Sequence, residues 1–140
     1  MSSVVSGSVL DASAVLALLN QEPGADLVAA ALADGAAISA VNLAEVVGRL
    51  AEAGMAEDLI RQALDPLGLE VVSLDAAAAY RTGLLRPATK QAGLSLGDRS
   101  CLALAQILSG ASSPATSCRV LTSDRAWASL SVGVRVEVIR

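Results

Sequence analysis

The stretch VVSGSVLDASAVLALLNQE, residues 4–22, decides how the rest of the chain is read. Its first part, VVSGSVLD, reads as a β-strand ending at Asp11. Its second part, ASAVLALLNQE, has the apolar density of a helix and stops at Pro23 and Gly24. A strand that passes directly into a helix is the repeating unit of an α/β layer fold. A carboxylate, Asp11, stands at the junction.

The same alternation continues outward from this unit. A second helix over residues 25–32 ends near Asp34 and Gly35 and leads to the short apolar run AAIS. Two further helices, NLAEVVGRLAEAG and AEDLIRQALDPLG, are broken by Gly54 and Pro66. EVVSLD reads as a strand, and Asp75 caps an Ala-rich helix over residues 76–92. The segment LSLGDRSCLALA then opens another helix, followed by the loop GASSPATS and the strand RVLTSD. A short helical turn, RAWASL, precedes the final strand, VRVEVI. Strands alternating with helices predict an α/β fold around a mostly parallel sheet. Without repeats or an obvious linker, residues 1–140 are expected to form one domain.

Composition restricts the core and the chemistry. Hydrophobic residues make up 54% of the chain, but Phe is absent and Trp and Tyr occur once each, so the core must be built from Leu, Val, Ile and Ala. The longest uncharged run, residues 100–118, is long enough for a membrane span. Its second half, SGASSPATSC, is too rich in Gly, Pro, Ser and Thr to stay helical in lipid. No membrane segment is expected. The start, MSSVVSGSVLDAS, lacks the basic and apolar regions of a signal peptide, so the expected location is cytoplasmic, with Cys101 and Cys118 reduced. With no His in the chain, Cys/His zinc sites and His general-base catalysis are both disfavoured.

Asp98 raises a sharper question, because it stands at the start of an otherwise apolar helix. The apolar stripe of that helix is Cys101, Leu104, Ala105 and Leu108, with Leu102 beside it, and Asp98 falls on the same side. Arg99 and Gln106 fall on the other. One reading is a capping box, in which the Ser95-x-x-Asp98 pair closes the helix N-terminus. The other joins Asp98 to Asp11 and Asp124, both just past the ends of predicted strands, where ligands bind in such sheets. Two carboxylates about 5 Å apart repel by roughly 3 kcal/mol at an effective dielectric of ~20, so a cluster needs a cation. Magnesium or manganese suits carboxylate oxygen.

Four blocks, VLDASAVLALL, NLAEV, GLSLGDRSCLALA and VLTSDRAW, resemble the acidic motifs of PIN-domain ribonucleases, specifically the VapC-type toxins of toxin–antitoxin pairs. The likeness runs from about Ser8 to the last strand. It implies a three-layer α/β/α domain and an acidic site of Asp11, Glu45, Asp98 and Asp124, with Ser13 and Thr122 as supporting hydroxyls. Asp11 and Asp98 would anchor Mg2+ or Mn2+, with Gly97 allowing a close approach. Glu45 and Asp124 would complete the site directly or through water. The resemblance further implies RNA hydrolysis, a homodimer and a cognate antitoxin protein as partner.

The residues themselves leave several alternatives open. Glu45 lies nearly opposite the stripe of Leu43, Val46, Val47 and Leu50, and Arg49 is spaced for a surface ion pair with it. Ser13 is also a plausible helix N-cap, and Thr122 a plain β-branched strand residue. Setting the four site acids aside leaves ten acids against ten Lys and Arg, so the remainder of the chain is neutral. Arg81, Arg86, Lys90 and Arg99 fall in a stretch whose one acid is Asp98, and they serve either as a phosphate track or as a solvated face. One Trp and one Tyr offer no stacking platform, which favours a folded RNA with a preset loop over an unstructured strand; the resemblance implies that this structured RNA is of the tRNA or rRNA class. Pro87 is expected to break or kink its helix, and the loop over 110–118 is longer than expected before a strand. A receiver domain or a haloacid-dehalogenase-like phosphatase would need other residues where LDAS stands. A PIN scaffold that binds RNA or protein without cutting is the non-enzymatic alternative.

Overall fold

The computed structural model describes residues 7–110 and 118–140. Five strands, β1 (Ser8–Leu10), β2 (Ala36–Ser39), β3 (Glu70–Val72), β4 (Arg119–Thr122) and β5 (Arg135–Val138), form one sheet in the order β3-β2-β1-β4-β5. Every pairing is parallel. Val9 stands opposite Ala37 on one side and Val120 on the other, so β1 is the central strand. Parallel strands need crossovers, and the helices α1 (Ala12–Leu19), α2 (Ala25–Ala33), α3 (Ala40–Glu52), α4 (Glu57–Leu64), α5 (Ala76–Leu84), α6 (Arg86–Thr89) and α7 (Leu96–Ser109) supply those from β1 to β2, β2 to β3 and β3 to β4, while the short turn Arg125–Ser129 lies between β4 and β5.

Alternation along the strands divides the core between the two faces of the sheet. Leu10, Ile38 and Leu121 pack with Val15, Val28, Val46 and Ile60 from α1 to α4. Val9, Ala37 and Val120 point the other way, onto Cys101, Leu102, Leu104 and Trp127. Each such side chain, when fully buried, contributes roughly 1.5–3 kcal/mol, which is how a core nearly free of aromatics holds the three layers together. Both cysteines are free and buried. No helix among the described residues is long and apolar enough to cross a membrane.

One expectation changes at this level. The helix expected over residues 76–92 is divided: α5 ends at Leu84 and the four-residue α6 follows, with Pro87 in its first turn. Pro87 has no N–H to donate and its ring crowds the preceding turn, so it is tolerated only in the first turn of a new helix and the longer helix breaks ahead of it. Most of the first strand's expected N-terminal half, residues 4–6, and most of the long loop, residues 111–117, lie outside the described residues.

The strand order reverses at the centre of the sheet. From β1 the chain moves outward through β2 and β3, then crosses back to β4 and β5 on the other side. The crevice beyond the carboxyl ends of β1 and β4 is therefore the topological switch point, where open α/β sheets bind ligands. Asp11 directly follows β1, and Asp124 follows β4 by two residues.

Candidate active site

Asp11 occupies this crevice and is 4% exposed. It is also the N-cap of α1, with Oδ1 accepting from the Ala14 amide at 2.8 Å. The Ser13 hydroxyl donates to the same oxygen at 2.7 Å, and the Thr122 hydroxyl donates to Oδ2 at 2.6 Å. Both hydroxyls accept in turn: Ser13 Oγ from the Ser123 amide at 2.9 Å, and Thr122 Oγ1 from the Asp124 amide at 3.1 Å. These bonds tie the loop after β4 to the turn after β1. Asp11, not Ser13, is the cap of α1, and both hydroxyls hydrogen-bond to its carboxylate.

Burial pushes the Asp11 carboxyl up from 3.8 to about 6. The bonds from Thr122, Ser13 and Ala14 oppose the shift, and the negative field of Asp98 adds to it. Beneath the crevice the buried Cys101 thiol is pushed well above its ordinary range, first by burial and then by the charges of Asp11, Asp98 and Glu45. Three carboxylates from β1, α3 and α7 thus converge on one region.

Asp98 realises the capping box in full. Its Oδ2 accepts from the Ser95 amide at 3.0 Å, while Ser95 Oγ accepts from the Asp98 amide at 3.1 Å. Capping does not withdraw it from the crevice, since Asp11, Glu45, Asp98 and Asp124 together line a cavity of about 460 Å3. Asp124 likewise caps the turn Arg125–Ser129, taking the Ala126 amide at 2.9 Å. A helix N-terminus favours an acid and also presents free amides, so each of these carboxylates is stabilised locally and still faces the cavity.

Glu45 departs from the surface pair with Arg49. No ion pair joins the two among the described residues. Glu45 Oε1 instead accepts from Asn42 Nδ2 at 2.8 Å. Gly97 makes room for this carboxylate: a Cβ there would lie 2.6 Å from Glu45 Cδ and 2.7 Å from Oε1. The close approach expected of Gly97 therefore serves Glu45, not the meeting of Asp98 with Asp11.

The four residues of the expected basic track differ in exposure. Arg86 and Lys90 are exposed, as is Arg81, whose Nη1 donates to Gln106 Oε1 at 3.3 Å beside a different cleft. Arg99, expected on the outward face, is buried, and its Nε donates to the Ser95 carbonyl at 3.3 Å. The helix wheel misplaces it because residues Gly97 and Arg99 through Ala105 are all enclosed, so the middle of α7 has no solvent face. Arg49, by contrast, lines the acidic cavity itself.

The donor chemistry suits a hard divalent cation. The cavity offers carboxylates and hydroxyls without sulfur or imidazole, and one buried acid is held close to a negative neighbour. Among the described residues, however, no three acidic side chains stand close enough to enclose an ion directly. An ion here would complete its coordination with water or substrate, as magnesium commonly does.

The match to the PIN-domain family spans residues 8–132. The chain belongs to that family, whose members are generally nucleases. No curated protein matches the chain. Among solved structures it is similar to the DNA-bound VapBC complex from Salmonella typhimurium, with 20% identity over 95% of this chain and 98% of that one and a TM-score of 0.67. A toxin-antitoxin complex from Klebsiella pneumoniae shows 22% identity over 88% and 92% of the two chains, with a TM-score of 0.63. VapBC-5 from Mycobacterium tuberculosis, a member of the VapBC family of toxin-antitoxin systems, shows 27% identity over 96% and 98%, with a TM-score of 0.56.

Proposed function

We propose that this chain is a metal-dependent endoribonuclease that cleaves structured RNA, of the tRNA or rRNA class, and acts as the toxin of a toxin–antitoxin pair. The observation that carries this reading is the gathering of Asp11, Glu45, Asp98 and Asp124 around one cavity at the switch point of the sheet. The similarity to the VapBC structures supports the toxin assignment and, with it, a cognate antitoxin as partner. Homodimer formation and a cytoplasmic location are proposed from the same resemblance and the sequence.

Asp11 and Asp98 would hold Mg2+ or Mn2+, with Glu45 and Asp124 bound directly or through water. Held there, such an ion would supply charge stabilisation at the phosphodiester and a more acidic water. The chain's own residues set up that chemistry. Ser13 and Thr122 keep both Asp11 oxygens oriented, and the caps at Ser95 and Asp124 fix Asp98 and Asp124 against the cavity. Arg86 and Lys90 are proposed to hold RNA phosphates.

A PIN scaffold that binds without cutting draws on one observation, the absence of three mutually close acids among the described residues. The two readings separate in a cleavage assay on structured RNAs with Mg2+, Mn2+ or EDTA, run beside Asp98→Asn. Metal-dependent cutting that is lost in the folded variant supports the nuclease. Metal-independent cutting, or full activity of Asp98→Asn, rejects the assigned chemistry, and no cutting under any condition favours the binding scaffold.

A further inference from the structure

Asn42 is 1% exposed and lies in the first turn of α3, three residues after the cap Ser39. Capping needs only its backbone, whose amide donates to Ser39 Oγ at 3.2 Å. The side chain does something else. Its Nδ2 donates both hydrogens, one to Glu45 Oε1 at 2.8 Å and one to the Gly97 carbonyl of α7 at 3.0 Å. Its Oδ1 accepts from Ser39 Oγ at 3.1 Å.

The network admits one orientation of the amide. A carboxylate and a carbonyl can only accept, so a flipped Asn42 would set its oxygen against two acceptors inside a buried site. Ser100 adds to the arrangement, standing 3.1 Å from Ser39 Oγ and donating to the same Gly97 carbonyl at 2.7 Å. A buried, fully used carboxamide therefore bridges α3, which carries Glu45, and the first turn of α7, which carries Asp98. Because it is neutral it orients the Glu45 carboxylate without cancelling its charge, and Glu45 Oε2 accepts no hydrogen bond among the described residues.

We propose that Asn42 is the positioning residue of the acidic site, setting Glu45 against the α7 N-terminus so that Glu45 and Asp98 serve one cation. Gly97 is its counterpart, supplying the space into which the carboxylate is turned. Serine or threonine at position 42 has one hydrogen for two acceptors, and aspartate would place like charge beside Glu45. This assignment rests on reading the cavity as a metal-dependent nuclease site.

The test is Mn2+ binding to the purified chain, followed by the spectroscopic signal of free Mn2+, with urea unfolding measured in parallel. Asn42→Ala is expected to weaken Mn2+ binding by about 10- to 100-fold, the usual effect of removing a residue that orients a ligand. In a Glu45→Ala background the same change should have no further effect, since the residue acts through Glu45. Gly97→Ala should weaken binding although Asn42 is intact. Wild-type affinity in Asn42→Ala, or losses that add in the double variant, would overturn the assignment. If Asn42→Ala does not fold, Asn42→Ser is judged by the same criteria. A wild-type chain that binds no Mn2+ and cuts no RNA defeats the nuclease reading. A wild-type chain that binds, beside an Asn42 variant that binds equally, defeats the positioning role alone.

Discussion

Asp11 at the end of β1 and Asp98 in the first turn of α7 line the same cavity, but the fold holds them by different means. Asp11 is almost fully enclosed and takes three hydrogen bonds, yet its carboxyl is still pushed up to about 6. Asp98 is half-buried and closes the capping box of its own helix. An acid at a helix N-terminus is stabilised by free amides and needs no further explanation. A buried acid whose ionised form is penalised despite three donors does need one, so Asp11 points more strongly to a cation than Asp98 does.

The largest test of this contrast is catalytic. Asp11→Asn is expected to abolish metal-dependent RNA cleavage, exceeding the roughly 10- to 100-fold loss typical of residues that only orient ligands. RNA binding at low salt should survive, and a nearly active Asp11→Asn would break the contrast outright.

Next in size is a pH effect on stability. The folded carboxyl of Asp11 is raised above its unfolded value of 3.8, so between pH 3.8 and about 6 the folded state binds more protons. The ionised group therefore costs stability above pH 6, and that cost disappears as pH falls through 6 toward 4. The shift is worth about 3 kcal/mol at pH 7, at about 1.4 kcal/mol per unit. In urea unfolding without metal, wild type should gain up to about 3 kcal/mol relative to Asp11→Asn as pH is lowered across this window. A difference that stays constant from pH 7 to 4 would contradict the raised carboxyl.

Ser95→Ala probes the other acid. It removes the cap hydroxyl that receives the Asp98 amide and should cost about 1 kcal/mol in thermal or urea unfolding. The smallest effect is expected at the periphery, where Arg86→Glu with Lys90→Glu should weaken RNA binding a few-fold and flatten its salt dependence, with stability unchanged. Unchanged binding would remove the basic segment from the substrate path.

Much of the frame was legible in the chain itself. VLD followed by ASAVLALL placed Asp11 at a strand end, and VLTSD placed Asp124 at another, because period and punctuation mark where strands stop. Ser95-x-x-Asp98 was readable as a cap and is one. Arg99 was misread because a wheel gives directions around one helix and says nothing of how many neighbours surround it. Asn42 passed unnoticed as a polar residue in a helix, although Ser39-x-x-Asn42 and Asn42-x-x-Glu45 are spaced for contacts along one helix face. Its second contact, to Gly97, spans 55 positions and has no local signature.

By itself, then, the sequence determined the order of strands and helices, the caps and the residue types of the site. These depend on interactions within a few positions of one another. Which acid is buried, which arginine is enclosed and how Glu45 reaches α7 were decided only in the tertiary structure. They follow from how α3, α7 and the loops after β1 and β4 pack together, and desolvation and close approach have no counterpart in the chain until those surfaces meet.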